Sequence, residues 1–148
     1  FSFSENAVVT NDNWDIAFRG TTIIVNGGTL IGLADEPARK GNGAVSVVSG
    51  TLSAVTAIPA VGTFAQDGAK TYAFPRSGDN VWYDYNSTTH IISAKAGKVF
   101  VVKTHDGKYA KFEISSYYKD APAAPDANSA SRYFTFKFVY QGASTTTF

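Results

Sequence analysis

Short runs of strand-forming residues, separated by turn formers, repeat along the whole chain. The turn formers fall at Asn11-Asp12-Asn13, Asn26-Gly27-Gly28, Gly41-Asn42-Gly43, Asp67-Gly68, Ser77-Gly78-Asp79-Asn80 and Asp106-Gly107. No window keeps apolar residues at the spacing of an amphipathic helix, and the alanine-rich piece between Ala54 and Val61 is broken by Pro59. The pattern therefore predicts an all-β fold of antiparallel hairpins with at most one short helix.

The clearest hairpin is predicted between Lys98 and Ile114, with its turn at Asp106-Gly107. The apolar residues of its second strand share one face of that strand: Ala110, Phe112 and Ile114. Lys111 and Glu113 fall on the other face, as in a half-buried strand, so we expect the lysine face to point to solvent.

Both ends of the chain carry further alternating patterns. The core-facing residues expected near the end are Phe134, Phe136, Phe138 and Tyr140. The core-facing residues expected near the start are Trp14, Ile16 and Phe18. Asp15 and Arg19 would then point outward, and Gly27 and Gly28 would supply positive φ angles in a turn. Residues 119–131 and 34–43, rich in turn formers, are predicted to be exposed connections.

Length and composition narrow the class of protein. The chain has 148 residues, of which 44% are hydrophobic and 14% aromatic, which is enough for one folded domain over residues 1–148. A formal net charge of +1 argues against a nucleic-acid partner. Since the chain has neither Cys nor Met, disulfides, zinc fingers, iron–sulfur clusters and thioether ligands are excluded.

Enzyme signatures are missing from the sequence. No nucleophile elbow, phosphate-binding loop, zinc-helix motif or EF-hand loop is present. The chain has two histidines, and no serine near them carries a catalytic signature. A pair of carboxylates for glycoside hydrolysis stays formally open, but most Asp residues are better explained by turns. We therefore expect a protein that is not an enzyme.

The stretch from Asn80 to Ile92 is the best candidate for a ligand site. It places Trp82, Tyr83 and Tyr85 within a few residues of His90, and aromatic rings with an imidazole can line a flat apolar site. The alternative interpretation is structural: Trp82 lies in the core, the tyrosines are ordinary strand residues and His90 lies in a surface loop. The second histidine, His105, lies at the predicted hairpin turn, where a polar side chain needs no functional reason.

Several blocks, taken in order, resemble the HmuY-like haem-binding lipoproteins of Bacteroidetes. The most specific block is the opening Phe1-Ser-Phe-Ser4, followed by Asn13-Trp-Asp-Ile-Ala-Phe-Arg19 and Val25-Asn-Gly-Gly28. The later blocks are Trp82, the hairpin from Lys98 to Ala110, Ile114-Ser-Ser-Tyr117 and Phe134-Thr-Phe-Lys-Phe-Val-Tyr140. Residues 29–72 carry little that matches.

This resemblance implies an all-β domain that grips haem in an apolar cleft and passes it to a TonB-dependent outer-membrane receptor. It also implies an exported protein at the outer membrane and cell surface, held by a lipid anchor upstream of Phe1, or a secreted protein, with a role in iron acquisition. The axial ligands of the family are His or Met. This chain has no Met, and neither of its histidines aligns with a family ligand.

The candidate haem-binding residues are therefore His90, Tyr83, Tyr85 and His105, with His90 the best candidate for the metal. A tyrosinate at Tyr83 or Tyr85 would need a neighbouring base or cation. Arg76 or Lys70 could pair with the haem propionates.

Two further interpretations remain beside haem capture. The same fold could act without haem, as an interaction or substrate-capture subunit of an outer-membrane complex. An enzyme such as a glycosidase or peptidase is the third, and it would need convergent carboxylates in a polar cleft.

Overall fold

The computed structural model describes residues 1–143 and 145–148 of the chain. Its strands, in chain order, are β1 (Ile16–Arg19), β2 (Thr22–Val25), β3 (Ala44–Ser49), β4 (Tyr83–Tyr85), β5 (Ile92–Ala94), β6 (Lys98–Lys103), β7 (Tyr109–Tyr118) and β8 (Ser131–Gln141). A single 3₁₀ turn at Val61–Thr63 is the helical element of the described residues. The prediction of an all-β fold with at most one short helix is confirmed.

The strands form three antiparallel sheets. The main sheet has the order β3-β6-β7-β8, whereas β1-β2 and β4-β5 are separate hairpins. Within the main sheet β6 and β7 form the predicted hairpin, in which Phe100 faces Phe112. Gly107 takes a φ of 84° in the turn, a conformation that glycine adopts without a Cβ penalty.

One large apolar cluster joins all three sheets. Ile16 of β1, Val45 of β3 and Phe112 of β7 are among its buried members. The alternating residues of β8 pack on this cluster as predicted, although they are half-buried rather than fully enclosed: Phe134, Phe136, Phe138 and Tyr140. The core-facing side of β8 was therefore predicted correctly.

The lysine face of β7 is not exposed, and that prediction is wrong. Lys111 is 5% exposed, and its Nζ donates a 2.7 Å hydrogen bond to the carbonyl of Val55. A second apolar cluster around Val99 and Val101 covers this face of the sheet, with Phe64 packed against it. Burial lowers the pKa of Lys111, since the charged form loses its hydration.

The outward orientation expected for Asp15 is also wrong. Asp15 is fully buried, and its carboxylate accepts a 2.7 Å hydrogen bond from the N–H of Phe3. Trp14 was expected to share the core face of Ile16. It instead precedes β1 and packs with Ile24, in a cluster separate from the one that contains Ile16.

The Asn26-Gly27-Gly28 segment is a close crossing of backbones rather than a simple turn. A Cβ on Gly27 would lie 1.9 Å from the carbonyl oxygen of Gly43. Gly28 has a φ of 79°, as predicted, whereas Gly27 does not have a positive φ, so the prediction for Gly27 is wrong. The side chain of Asn26 is fully buried and donates to the carbonyl of Trp14 at 2.8 Å.

Both predicted connections link strands, but they differ in character. Residues 119–130 between β7 and β8 are mostly exposed, as predicted. The connection at 34–43 instead contains a buried ion pair, in which Arg39 Nη2 lies 2.8 Å from Glu36 and 3.1 Å from Asp67. Within the described chain, no helix has the length and apolar character needed to span a membrane.

Candidate functional site

The β4-β5 hairpin carries His90 at its tip. Tyr85 pairs with Ile92 as the last register position before the turn. The Oδ1 atom of Asn86 accepts the backbone N–H groups of Thr88 and Thr89 at 2.9 and 3.1 Å, and this closes the turn. His90 then adopts a φ of 58°, while its N–H donates to the carbonyl of Asn86 at 2.8 Å.

Tyr85 and His90 contact each other directly. The hydroxyl of Tyr85 lies 2.5 Å from Nδ1 of His90, and both side chains are exposed to solvent. When Nδ1 carries the proton and donates to the hydroxyl, Nε2 keeps its lone pair for a metal. The pair can therefore present one oriented imidazole ligand.

His90 lines an open gap of about 740 Å³ between two loop tips. One wall comes from residues between Asn86 and Ser93, and the other consists of Pro125, Asp126 and Ala127. This volume lies within the range of about 300–1,000 Å³ that is usual for small-molecule and cofactor sites. We call it the tip gap.

Hydrogen bonds fix the position of both walls of the tip gap. The N–H of Ile92 donates a 3.0 Å hydrogen bond to the hydroxyl of Tyr118, the last residue of β7. On the second wall, the N–H of Asn128 and the hydroxyl of Ser129 hold the pKa of Asp126 below its usual range. That wall therefore offers a carboxylate that is engaged in its own turn.

Tyr83 lies away from the tip gap. Its ring is half-buried, 4.7 Å from the ring of Trp82, and it packs against the main core. Trp82 is 2% exposed and donates from Nε1 to the carbonyl of Thr21 at 2.9 Å. The structural interpretation of Trp82 is thus confirmed, and the geometry separates Tyr83 from the Tyr85–His90 pair.

His105 lies at the opposite end of β7 from the tip gap. It follows β6, whereas Tyr118 at the far end of β7 contacts the β4-β5 hairpin. The ten residues of β7 span about 30 Å at ~3.4 Å per residue, so His90 and His105 cannot hold the same haem. His105 is also not a free turn residue, since its Nδ1 lies 2.8 Å from the carboxylate of the buried Asp15.

The residues suggested as partners for propionates lie elsewhere. Neither Lys70 nor Arg76 lines the tip gap. Arg76 instead lines a separate groove together with Arg19 and Arg132.

An aromatic groove of similar volume to the tip gap was missed by the sequence reasoning. It has a volume of about 710 Å³ and lies between the start of β8 and residues 8–12. Its aromatic lining includes Trp14, Phe18 and Phe134, with Val8 84% exposed at its rim. The alternating Phe residues of β8 are the sequence signal for this groove. The alternation predicts only that these residues face the core, not that some of them also line a groove.

A family model described as HmuY protein matches residues 1–138. The chain belongs to the HmuY family. Membership places the protein among haem-binding-related proteins that are exposed at the cell surface or secreted. No curated protein matches the chain.

The HmuY match includes both walls of the tip gap, because it extends from Phe1 through most of β8. The Tyr85–His90 pair supplies one nitrogen ligand of the type that haem iron accepts. The facing wall brings Pro125 and Asp126 rather than a second imidazole. Among the described residues that line the tip gap, His90 is the one whose side chain is of a type that binds haem iron.

Proposed function

We propose that this HmuY-family protein captures haem in the tip gap, with Nε2 of His90 as the protein ligand to the iron. The observation that carries the proposal is the contact of 2.5 Å between the Tyr85 hydroxyl and Nδ1 of His90. In the tautomer in which Nδ1 donates to the Tyr85 hydroxyl, Nε2 is available to bind a metal, and His90 lines a gap of suitable volume. The protein would act by binding, without catalysing a reaction on the haem.

Residues of both loops that line the gap would contribute apolar contacts to a bound haem. Ile91 on one wall and Pro125 on the other offer apolar surface, and burial of apolar area contributes about 25 cal/mol per Å². Asp126 would stay at the rim, since its carboxylate is held by its own turn. His90 would then be the one residue of the tip gap that binds the iron of a captured haem.

An open site with one protein ligand is also suited to the transfer of haem to another protein. His90 and Pro125 lie at loop tips that are largely exposed, where a second protein would be able to reach a bound haem. We infer that the haem passes from this site to a TonB-dependent outer-membrane receptor. We also propose that this protein is lipid-anchored at the cell surface or released from it, and that it serves iron acquisition.

A haemin titration followed by the Soret band tests this function. The wild-type protein should give a saturable 1:1 change that is lost or shifted in His90→Ala. His105→Ala is the matched control, since it removes the histidine at the opposite end of β7 and should leave the Soret change intact. Equal behaviour of the two variants would exclude His90 as the ligand, and no saturable change in the wild type would exclude haem.

The facing wall favours one second candidate function. Because it offers a carboxylate and a proline where a bis-imidazole site needs a second imidazole, the fold could have lost haem and kept a surface role. In that case the protein would be an interaction or substrate-capture subunit of an outer-membrane complex. The same titration separates the two functions, because this candidate requires no haemin binding.

A further inference from the structure

Three arginines converge on one groove outside the tip gap. This arginine groove has a volume of about 610 Å³ and is formed by the β1-β2 turn, the start of β8 and the segment around Tyr72. Arg19, Arg76 and Arg132 line it, and no acidic residue is found among its lining residues. All three side chains belong to solvent-exposed residues.

Each guanidinium is held by a neutral partner rather than by a carboxylate. Arg19 donates from Nη1 to the carbonyl of Ala34. Arg76 stacks on Tyr72, with its Cζ 4.6 Å from the ring centroid. Arg132 lies near the phenol of the buried Tyr117, where burial raises the pKa of that phenol and the charge of Arg132 has a smaller, lowering effect. The arginines are therefore positioned while their charges stay unneutralised.

The acidic residues nearby do not cancel this charge. Asp35 and Glu36 line a smaller hollow that shares Arg19 with the arginine groove. Glu36, however, is committed to the ion pair with Arg39. In the described part of the chain, neither Asp35 nor any other carboxylate lies within ion-pair distance of the three groove arginines.

Three like charges in one concave surface concentrate positive potential and attract anions. The planar fork of a guanidinium suits carboxylate and phosphate oxygens, which it can bind through two parallel hydrogen bonds. Thr21 and Thr22 add hydroxyl groups to the lining, and Gly20 leaves open space beside them. The lining thus combines charge with further hydrogen-bonding groups.

We propose that the arginine groove is a binding site for a small oligoanion, a ligand that carries at least two carboxylate or phosphate groups. The site is separate from the tip gap, since the two share no lining residue. It does not depend on haem, and the two proposals can fail independently.

Isothermal titration calorimetry at low ionic strength tests the site with two probes, citrate and inorganic tripolyphosphate. At least one probe should bind saturably at 1:1, and the stronger of the two identifies the preferred oxyanion. Arg76→Gln and Arg132→Gln should each weaken binding about tenfold, as expected for loss of a charge-assisted hydrogen bond. The triple variant that also carries Arg19→Gln should show no binding.

Lys137→Gln is the matched control, because it removes one positive charge from an exposed position of β8 that does not line the groove. It should change the affinity less than twofold. Circular dichroism and urea unfolding would establish that each variant is folded. The proposal is overturned if neither probe saturates, or if Lys137→Gln weakens binding as much as the groove variants do.

Discussion

The carboxylate of Asp15 lies 2.8 Å from Nδ1 of His105, although the two residues are 90 positions apart in the sequence. The same oxygen accepts the backbone N–H of His105 at 2.9 Å, and the other oxygen accepts the N–H of Phe3 at 2.7 Å. Asp15 is completely buried. This carboxylate therefore ties the start of the chain to the β6-β7 turn of the main sheet.

Replacing Asp15 with alanine should destabilise the protein strongly. The N–H groups of Phe3 and His105 would lose their acceptor, and unsatisfied groups of this kind cost enough to lower the free energy of unfolding by about 3 kcal/mol. His105→Ala removes a single side-chain hydrogen bond and should cost only about 1 kcal/mol. Urea unfolding followed by tryptophan fluorescence measures both changes.

Asp79→Asn provides the control for this pair, because Asp79 is an exposed loop residue. Its free energy of unfolding should match that of the wild type. If Asp15→Ala is no less stable than Asp79→Asn, the buried carboxylate does not hold the chain start to the turn.

The contact between Gly27 and Gly43 gives a second prediction. A Cβ at position 27 would lie 1.9 Å from a backbone oxygen, which no side-chain rotation can relieve. Gly27→Ala should therefore lower the free energy of unfolding by about 3 kcal/mol or more. Gly62→Ala is the control, since nothing lies within 4 Å of its added methyl group. Similar thermal unfolding midpoints for the two variants would contradict the close approach of the backbones at Gly27 and Gly43.

The parts of the fold that the sequence predicted well depend on local patterns. The hairpin of β6 and β7 follows from alternation on either side of Asp106-Gly107, and its partner residues are close in sequence. The burial of Lys111 and Asp15 was not predictable in this way. Their partners lie 56 and 90 positions away, so the inward orientation depends on tertiary packing rather than on the strand period.

In the candidate site, too, the local contact was predictable from the sequence and the distant one was not. Tyr85 and His90 are five positions apart, and a strand followed by a turn is enough to bring them together. The facing wall at Pro125 was not predictable, because it reaches the tip gap only through the pairing of long strands in the main sheet. The arginine groove likewise combines residues from four separate segments of the chain.

The buried Glu36 gives a pH-dependent prediction. Burial alone would raise its pKa, but hydrogen bonds from the N–H groups of residues 31–33 and from Arg39 outweigh it and hold the pKa below the ordinary value of 4.5. Such a group stabilises the fold above pH 4.5, and this contribution is lost as the pH falls through the lower pKa of the folded state. Glu36→Gln should therefore cost about 2 kcal/mol at pH 7 and progressively less below pH 4.5.

Urea unfolding of the wild type and of Glu36→Gln at a series of pH values tests whether the destabilisation decreases as the pH falls. The comparison uses the difference between the two proteins, because Asp67 acts in the opposite direction. Burial raises the pKa of Asp67, so its contribution is greatest at low pH and is lost as the pH rises through the folded pKa. A difference between the two proteins that stays constant or grows on acidification would show that Glu36 is not held in its charged form.

The hydrogen bond between Tyr85 and His90 gives the last prediction, which depends on the proposed haem site. Tyr85→Phe keeps the ring but removes the hydroxyl that contacts Nδ1 of His90, so the hydrogen bond that orients the imidazole is lost. Loss of a group that orients a metal ligand in this way typically weakens binding about 10–100-fold. We expect haemin affinity to fall by at least about tenfold, while the Soret change at saturation persists because His90 is still present. Tyr83→Phe is the control, since its ring packs near Trp82 away from the tip gap, and it should retain wild-type affinity. If instead Tyr85→Phe abolishes the Soret change altogether, the phenolate of Tyr85 is the iron ligand and His90 is its base.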